Sequence, residues 1–190
     1  MTYLGKETTF RWLGHASFLV ETPSGRTILI DPWLENPSCP DDCKEFEQVD
    51  LILLTHGHWD HFNSVVPQAQ KHGARVVCNV ELAHWLRKLG LEEDQVIEMN
   101  KGGTVEVCGL QVTMTDARHS SGVIIDDEYR YAGEACGFVV ETENEFRFFY
   151  AGDTSVFGDM ALIAELYSPS MAILPIGDVY TMGPREAAKA

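Results

Sequence analysis

Residues 51–55 read Leu51-Ile52-Leu53-Leu54-Thr55, an apolar run without alternation that passes directly into His56-Gly57-His58-Trp59-Asp60-His61. A strand with one wet face alternates polar and apolar side chains, so an unbroken apolar run needs cover on both faces. The run is therefore expected as a central strand, with the histidine-rich segment emerging from its C-terminal end. Four ligand-type side chains lie within those six positions. With 7 histidines among 190 residues, three of them and one aspartate in this fixed pattern arise by chance in roughly one sequence per two thousand. His56 and His58 are two apart, so in an extended segment both imidazoles point to one side and can chelate one cation. Asp60 and His61 come next, at a turn that redirects the chain, and can reach a second cation beside the first. Gly57 lets the backbone approach closely.

A chain of 190 residues suits one domain, and 45% hydrophobic with 23% charged residues supplies a sizeable core, which excludes disorder and coiled coil. The balance of 14 basic against 29 acidic residues, a net −15, leaves no source for a phosphate-neutralising nucleic-acid surface. Residues 1–10 lack the basic start and apolar stretch of a secretory signal, and no run approaches membrane-spanning length. The expectation is a soluble cytoplasmic protein that meets a small-molecule substrate and neither nucleic acid nor a bilayer. Five scattered cysteines, Cys39, Cys43, Cys78, Cys108 and Cys136, are odd in number and form no disulfide framework. Cys39 and Cys43 lack a second pair at zinc-finger spacing.

Further β-type runs fall at residues 10–13, 16–21, 27–31, 74–78, 96–99, 104–107, 110–116, 137–142, 146–151 and 171–176. Helical patterns fall at 65–72, with Ser64 as cap and Gly73 as stop, at 81–89, where Leu82, Trp85, Leu86 and Leu89 form a stripe ended by Gly90, and at 159–167. Helices interleave with strands, which argues for helix layers outside a β core. Asp126, Asp127 and Glu128 read as a solvated loop. His72 and His84 read as structural or solvated. Pro184 opens a run of good helix formers that reaches Ala190, about two turns against a mean of roughly 11 residues, so a C-terminally truncated domain is expected.

The chelating pairs need partners, and later strands supply them. His119 comes after the run at 110–116, and Asp153 after the run at 146–151; loops at one sheet edge converge on one site. Mixed imidazole and carboxylate ligands without thiolate suit Zn²⁺, and also Mn²⁺ or Fe²⁺.

The His-x-His-x-Asp-His segment, His119 and Gly152-Asp153-Thr154 together resemble the metallo-β-lactamase superfamily. Trp12-Leu13-Gly14-His15-Ala16-Ser17-Phe18, Ile30-Asp31-Pro32, Gly133-Glu134-Ala135-Cys136-Gly137-Phe138 and Pro175-Ile176-Gly177-Asp178 with Thr181-Met182-Gly183-Pro184 resemble its metal-dependent hydrolase branch, which is similar to ascorbate-6-phosphate lactonase and, more distantly, to the phospholipase D that cleaves N-acyl-phosphatidylethanolamine. The resemblance implies an α/β fold, a four-layer αβ/βα sandwich with metals in a cleft at one sheet edge. It implies His56, His58 and His119 on a first metal, Asp60 and His61 on a second, and Asp153 between them. Asp31 and His15 would support these ligands by hydrogen bonds. Trp59, Asp178 and Tyr180 are pocket-wall candidates by adjacency to the motifs.

The implied chemistry is hydrolysis of an ester, lactone or phosphoester by a metal-activated hydroxide that Asp60 and Asp153 hold and orient, with one or two Zn²⁺ per chain. The family's last ligand is a histidine beyond the final helix, and no histidine occurs after His119. The same truncation would expose apolar surface and favour pairing with a second copy. Two rivals stand beside the hydrolase. One is a non-catalytic metal-binding module with an incomplete site. The other is an iron-dependent oxidoreductase on the same fold, against which histidine at position 58 counts.

Overall fold

Leu51, Ile52, Leu53 and Leu54 are all 0% exposed. In the computed structural model, which describes residues 2–3 and 7–190, these four side chains serve two different cores. Leu51 and Leu53 pack with Val20, Ile28, Phe138 and Phe148, while Ile52 and Leu54 pack with Val65, Ala69, Leu82 and Leu86. The two-sided cover demanded by the unbroken apolar run is present.

The first sheet has seven strands in chain order: β1 (Thr2–Tyr3), β2 (Thr9–Trp12), β3 (Phe18–Glu21), β4 (Thr27–Ile30), β5 (Leu51–Leu53), β6 (Arg75–Asn79) and β7 (Val96–Met99). Strands β1 to β4 form an antiparallel meander, and β4 to β7 run parallel. Parallel neighbours need crossovers. Here these are α1 (Trp59–Phe62) and α2 (Val65–His72) after β5, and α3 (Val80–Lys88) after β6.

The second sheet contains β8 (Thr104–Val107) and β9 (Leu110–Asp116). A separate hairpin, β10 (Gly122–Ile125) and β11 (Glu128–Tyr131), precedes β12 (Cys136–Glu141), β13 (Arg147–Tyr150), α4 (Met160–Tyr167), β14 (Met171–Ile173) and α5 (Pro184–Lys189). The five strands lie in the order β14-β13-β12-β9-β8, antiparallel except for the β13–β14 pair. Val139, Phe149 and Ala151 on the outer face pack with Ile163 of α4. Helices α2 and α3, the first sheet, the second sheet and α4 are thus four layers, an αβ/βα sandwich. Among the described residues no helix is long and apolar enough to cross a membrane.

Four local expectations need correction. Asp126 and Asp127 are exposed in a turn, but Glu128 is not in a loop: it opens β11 and pairs with Ile125 across Asp126 and Asp127, whose φ values of 53° and 59° make the two-residue turn whose backbone twist matches paired strands. Ser64 does not cap α2, because its hydroxyl accepts from the Leu34 N–H at 3.0 Å instead. Asp60 and His61 sit in the short helix α1 rather than at a bare turn; four residues are too few to show a period. The last strand stops at Ile173 because its parallel partner β13 ends at Tyr150. His84 is exposed and His72 partly so.

Asn79 ties two of these elements together. Its side-chain oxygen caps α3 by accepting from the Leu82 N–H at 2.8 Å, and its amide donates to Ala132 O at 2.9 Å and Glu134 O at 3.1 Å. Asn79→Ala removes a cap and leaves two carbonyls short of a donor, so we expect a loss of about 2 kcal/mol in urea unfolding. A loss under about 0.5 kcal/mol would show that water replaces the amide.

Candidate metal centre

The two parallel strands β4 and β5 end side by side, and the segments that leave their ends form the floor of the site. After β5 the chain stays extended through His58, with φ −62° and ψ 145°, before α1 begins. Strands β9 and β13 both run antiparallel to β12, so they end at one edge of the second sheet. That edge meets the end of β5, where Cys136 N–H donates to Thr55 O at 3.1 Å. His119 after β9 and Asp153 after β13 are delivered to the segment that carries His56 and His58.

His56 Nε2 lies 3.0 Å from His58 Nδ1, which in turn lies 3.2 Å from His119 Nε2. The tautomers are set by the neighbours. Thr55 Oγ1 gives its single proton to Asp31 Oδ2 at 2.6 Å, so it accepts from His56 Nδ1 at 3.0 Å, and His56 Nε2 is left as a bare lone pair. Three ring nitrogens spaced in this way match the edge of about 3.3 Å that a tetrahedral zinc with 2.0–2.1 Å bonds requires.

Asp31 is the hub beneath them. Its fully buried carboxylate also accepts from Thr55 N–H at 2.8 Å and from His61 Nδ1 at 2.9 Å. Tyr150 spends its phenolic proton on Ala16 O at 2.6 Å, with Asp31 Oδ2 at 3.3 Å beside it. With Nδ1 donating to Asp31, His61 presents Nε2 to the site. That atom is buried without a hydrogen-bond partner, 3.4 Å from Asp153 Oδ2 and 3.9 Å from Asp60 Oδ2. Asp153 Oδ2 is also 3.7 Å from His119 Nε2. His15 Nε2 lies 2.8 Å from Asp60 Oδ2. Asp31 and His15 both have positive φ, 44° and 50°, strained positions that tertiary contacts must hold.

The electrostatics favour a cation. Burial, reinforced by the imidazoles of His61, His58 and His119, holds His56 well below the usual histidine value. Burial likewise lowers His58 and His119. All three are neutral imidazoles, the form that binds metal. Burial opposes an imidazolium at His61, yet the carboxylates of Asp31 and Asp153 outweigh it and lift the group to about 10. A positive charge between His61 and Asp153 is therefore stabilised. The hydrogen bond from His15 holds Asp60 at about 2, and His61 keeps Asp153 below the ordinary carboxylate range although burial pushes the other way. A buried ring nitrogen without a hydrogen-bond partner, in a field that favours positive charge and beside ionised carboxylates and neutral imidazoles, fits a divalent cation.

Backbone packing leaves little freedom around this cluster. A Cβ on Gly57 would come within 3.0–3.1 Å of Ala132 and Gly122, and one on Gly152 (φ +62°) would come within 2.8 Å of Cys136 O. Gly152→Ala should cost about 2 kcal/mol through the left-handed backbone and the overlap, read as a lowered Tm. An unchanged Tm would mean that the β13–Asp153 turn relaxes freely.

Trp59, Asp178 and Tyr180 all line the cleft above the cluster. Sequence reasoning missed Thr55, Tyr150, Trp12 and the hairpin pair Ile124 and Tyr129, which line or brace the same cleft. For the hairpin a signal exists, as β-type residues on either side of a two-residue Asp126-Asp127 turn. Tyr150 carries none, since an aromatic in an apolar strand reads as core.

Comparison with known proteins agrees with this architecture. The Beta-lactamase superfamily domain matches residues 26–190. A UPF0173 metal-dependent hydrolase of Koribacter versatilis is 51% identical over 180 residues, 94% of this chain and 76% of that protein. Another, from Herpetosiphon aurantiacus, is 50% identical over 185 residues, 96% of this chain and 77% of that protein. Among solved structures, Igni18, a metallo hydrolase from the archaeon Ignicoccus hospitalis, superposes with a TM-score of 0.81 at 31% identity, covering 95% of this chain and 75% of that one. The chain thus belongs to the β-lactamase superfamily and, within it, to the UPF0173 metal-dependent hydrolases.

Proposed function

We propose that the chain hydrolyses an ester, lactone or phosphoester bond of a small substrate with a divalent cation held by His56, His58 and His119. A second cation position lies at Asp60 and His61, with Asp153 between the two. Zinc is the first choice of metal, manganese or iron the second. The observation that carries this reading is the buried, unpartnered Nε2 of His61 facing Asp153 beside three converging ring nitrogens.

A cation of this kind makes hydroxide available near pH 7 and polarises the scissile carbonyl or phosphoryl oxygen. The side chains do the rest. His15 fixes one oxygen of Asp60, which would hold and orient the attacking water. Asp153 would orient the same water together with Asp60. Asp31 holds the His61 ring through Nδ1 and sets its tautomer, and Thr55 does the same for His56.

The test is reconstitution after chelation. With Zn²⁺ or Mn²⁺ restored, hydrolysis of p-nitrophenyl esters, lactones or bis(p-nitrophenyl) phosphate should return. At about 100 times its Kd the cation should add about 2.7 kcal/mol and raise Tm by about 5–10 °C. A Tm indifferent to every divalent cation would overturn the reading. So would stoichiometric iron with oxygen consumption and no hydrolysis.

A further inference from the structure

The cleft over the cluster is about 960 Å³ in volume, large for a small ligand. Part of its wall is apolar and open to solvent. Trp12 is 58% exposed, Trp59 51%, Ile124 45% and Tyr129 78%. Core packing does not account for them. In β10, Val123 and Ile125 pack into the core beneath the hairpin, whereas Ile124, opposite Tyr129 in the register, turns toward the cleft. The indole N–H of Trp12 is already used on His15 O at 2.8 Å, and Trp59 rests against Trp33 with ring centroids 5.1 Å apart, so both offer ring surface. Contiguous exposed apolar surface of this kind marks a binding site.

Charge points the same way. Among the described residues no lysine or arginine lines the cleft; its charged side chains are Asp60, Asp153 and Asp178 together with the imidazoles. Three basic groups on neighbouring strands and loops are engaged with carboxylates, and Arg11 on β2 donates to Cys43 Sγ at 3.8 Å. Arg118 is bound to Asp116 at 2.9 Å, Arg130 to Glu128 at 2.5 Å, and Lys101 to Asp116 and Glu134 at 2.6 and 2.9 Å. Phosphoryl and carboxylate groups are recognised by arginine forks or lysine charges. Away from the cation itself, an anionic tail would meet carboxylates and no basic group among the described residues of this wall.

Given the hydrolase reading above, on which this rests, we infer that the cleft takes an uncharged ester or lactone bearing an extended apolar or aromatic group. Substrates that carry an anionic tail along this wall are disfavoured. Each methylene laid against the tryptophans and the hairpin should improve binding by up to about fourfold.

Two readouts on the zinc-reconstituted full chain test this. Calorimetric Kd values for methyl ketones of increasing length, which bind without being cleaved, should tighten with every added methylene until the cleft is filled. In turnover, kcat/KM for p-nitrophenyl esters should climb from acetate to decanoate, and the same chain ending in phosphate should lose at least about tenfold. In the double variant Ile124→Ser, Tyr129→Ser, the decanoate-to-acetate ratio should drop by about tenfold. Both residues are exposed, and Tm checks the fold. A Kd series flat with chain length, or a kcat/KM for the phosphate-ended chain above that for the decanoate ester, would overturn the inference and leave the hydrolase reading standing. A tightening Kd series with no turnover of any substrate would support the cleft assignment and defeat the hydrolase reading.

Discussion

Asp153→Asn should lower metal-dependent turnover by about 10³-fold while the protein stays folded. The magnitude is that of removing one pre-organised charged partner from a reacting centre. Asp153 is separable from the fold because its neighbour does the structural work there: Thr154 Oγ1 accepts from Arg118 N–H at 2.9 Å, and Thr154 O accepts from Met182 N–H at 2.9 Å. The Asp153 carboxylate instead faces His61 Nε2 at 3.4 Å and His119 Nε2 at 3.7 Å. An amide keeps the shape and removes the charge. Unfolding free energy without metal should fall by no more than about 3 kcal/mol, for the lost partner of His61, whereas zinc affinity, read by chelator competition, should fall along with kcat/KM. Turnover within about tenfold of the parent would reject Asp153 as a residue of the reacting centre. His56→Ala, which removes the bare Nε2, is expected to act in the same way.

Asp31→Ala should act on the fold as well as on the metal. Three buried donors converge on this carboxylate: Thr55 N–H, Thr55 Oγ1 and His61 Nδ1. Water cannot replace it, since Asp31, Thr55 and His61 are all fully buried. Leaving such donors unsatisfied costs about 1–3 kcal/mol for each group, and breaking a buried charged partnership about 3–5 kcal/mol in total, so a loss in the latter range is expected in urea unfolding. His56 and His61 would also lose the contacts that set their tautomers, which should weaken metal affinity by about 10–100-fold. Asp31→Asn keeps an acceptor and should fall between the two. A loss below about 1 kcal/mol for the alanine variant would mean that Asp31 is not the hub.

Much of the architecture is legible in the sequence because strand and helix periods are local. The bounds of β7, β8, β9 and α2 coincide with the apolar pattern, and the unbroken run at 51–54 announces a strand buried on both faces. Failures occur where a side chain has a distant employer. Ser64 looks like a cap, but Leu34 claims its hydroxyl. Asn79 gives no local sign of a tertiary role, yet its oxygen and amide join α3 to the segment after β11. The four-residue helix α1 is too short to leave a pattern.

At the site the division is similar. His56, His58, Asp60 and His61 fall within six consecutive positions, so their shared ligand chemistry is given by residue type and spacing alone, and the apolar run before them puts them at a strand end. That His119 would join His56 and His58, with Asp31 in support, was implied by the family resemblance, whereas the 3.2 Å contact between His119 and His58, the closing of Tyr150 beneath the cluster from the other sheet, and the walling of the cleft by Ile124 and Tyr129 came only from packing the two sheets together. Periodicity reports which face of one element is buried. It carries no information about which distant strand end will lie opposite, because that depends on how two sheets bury their apolar faces against each other, an interaction spread over many residues and specified by none of them alone.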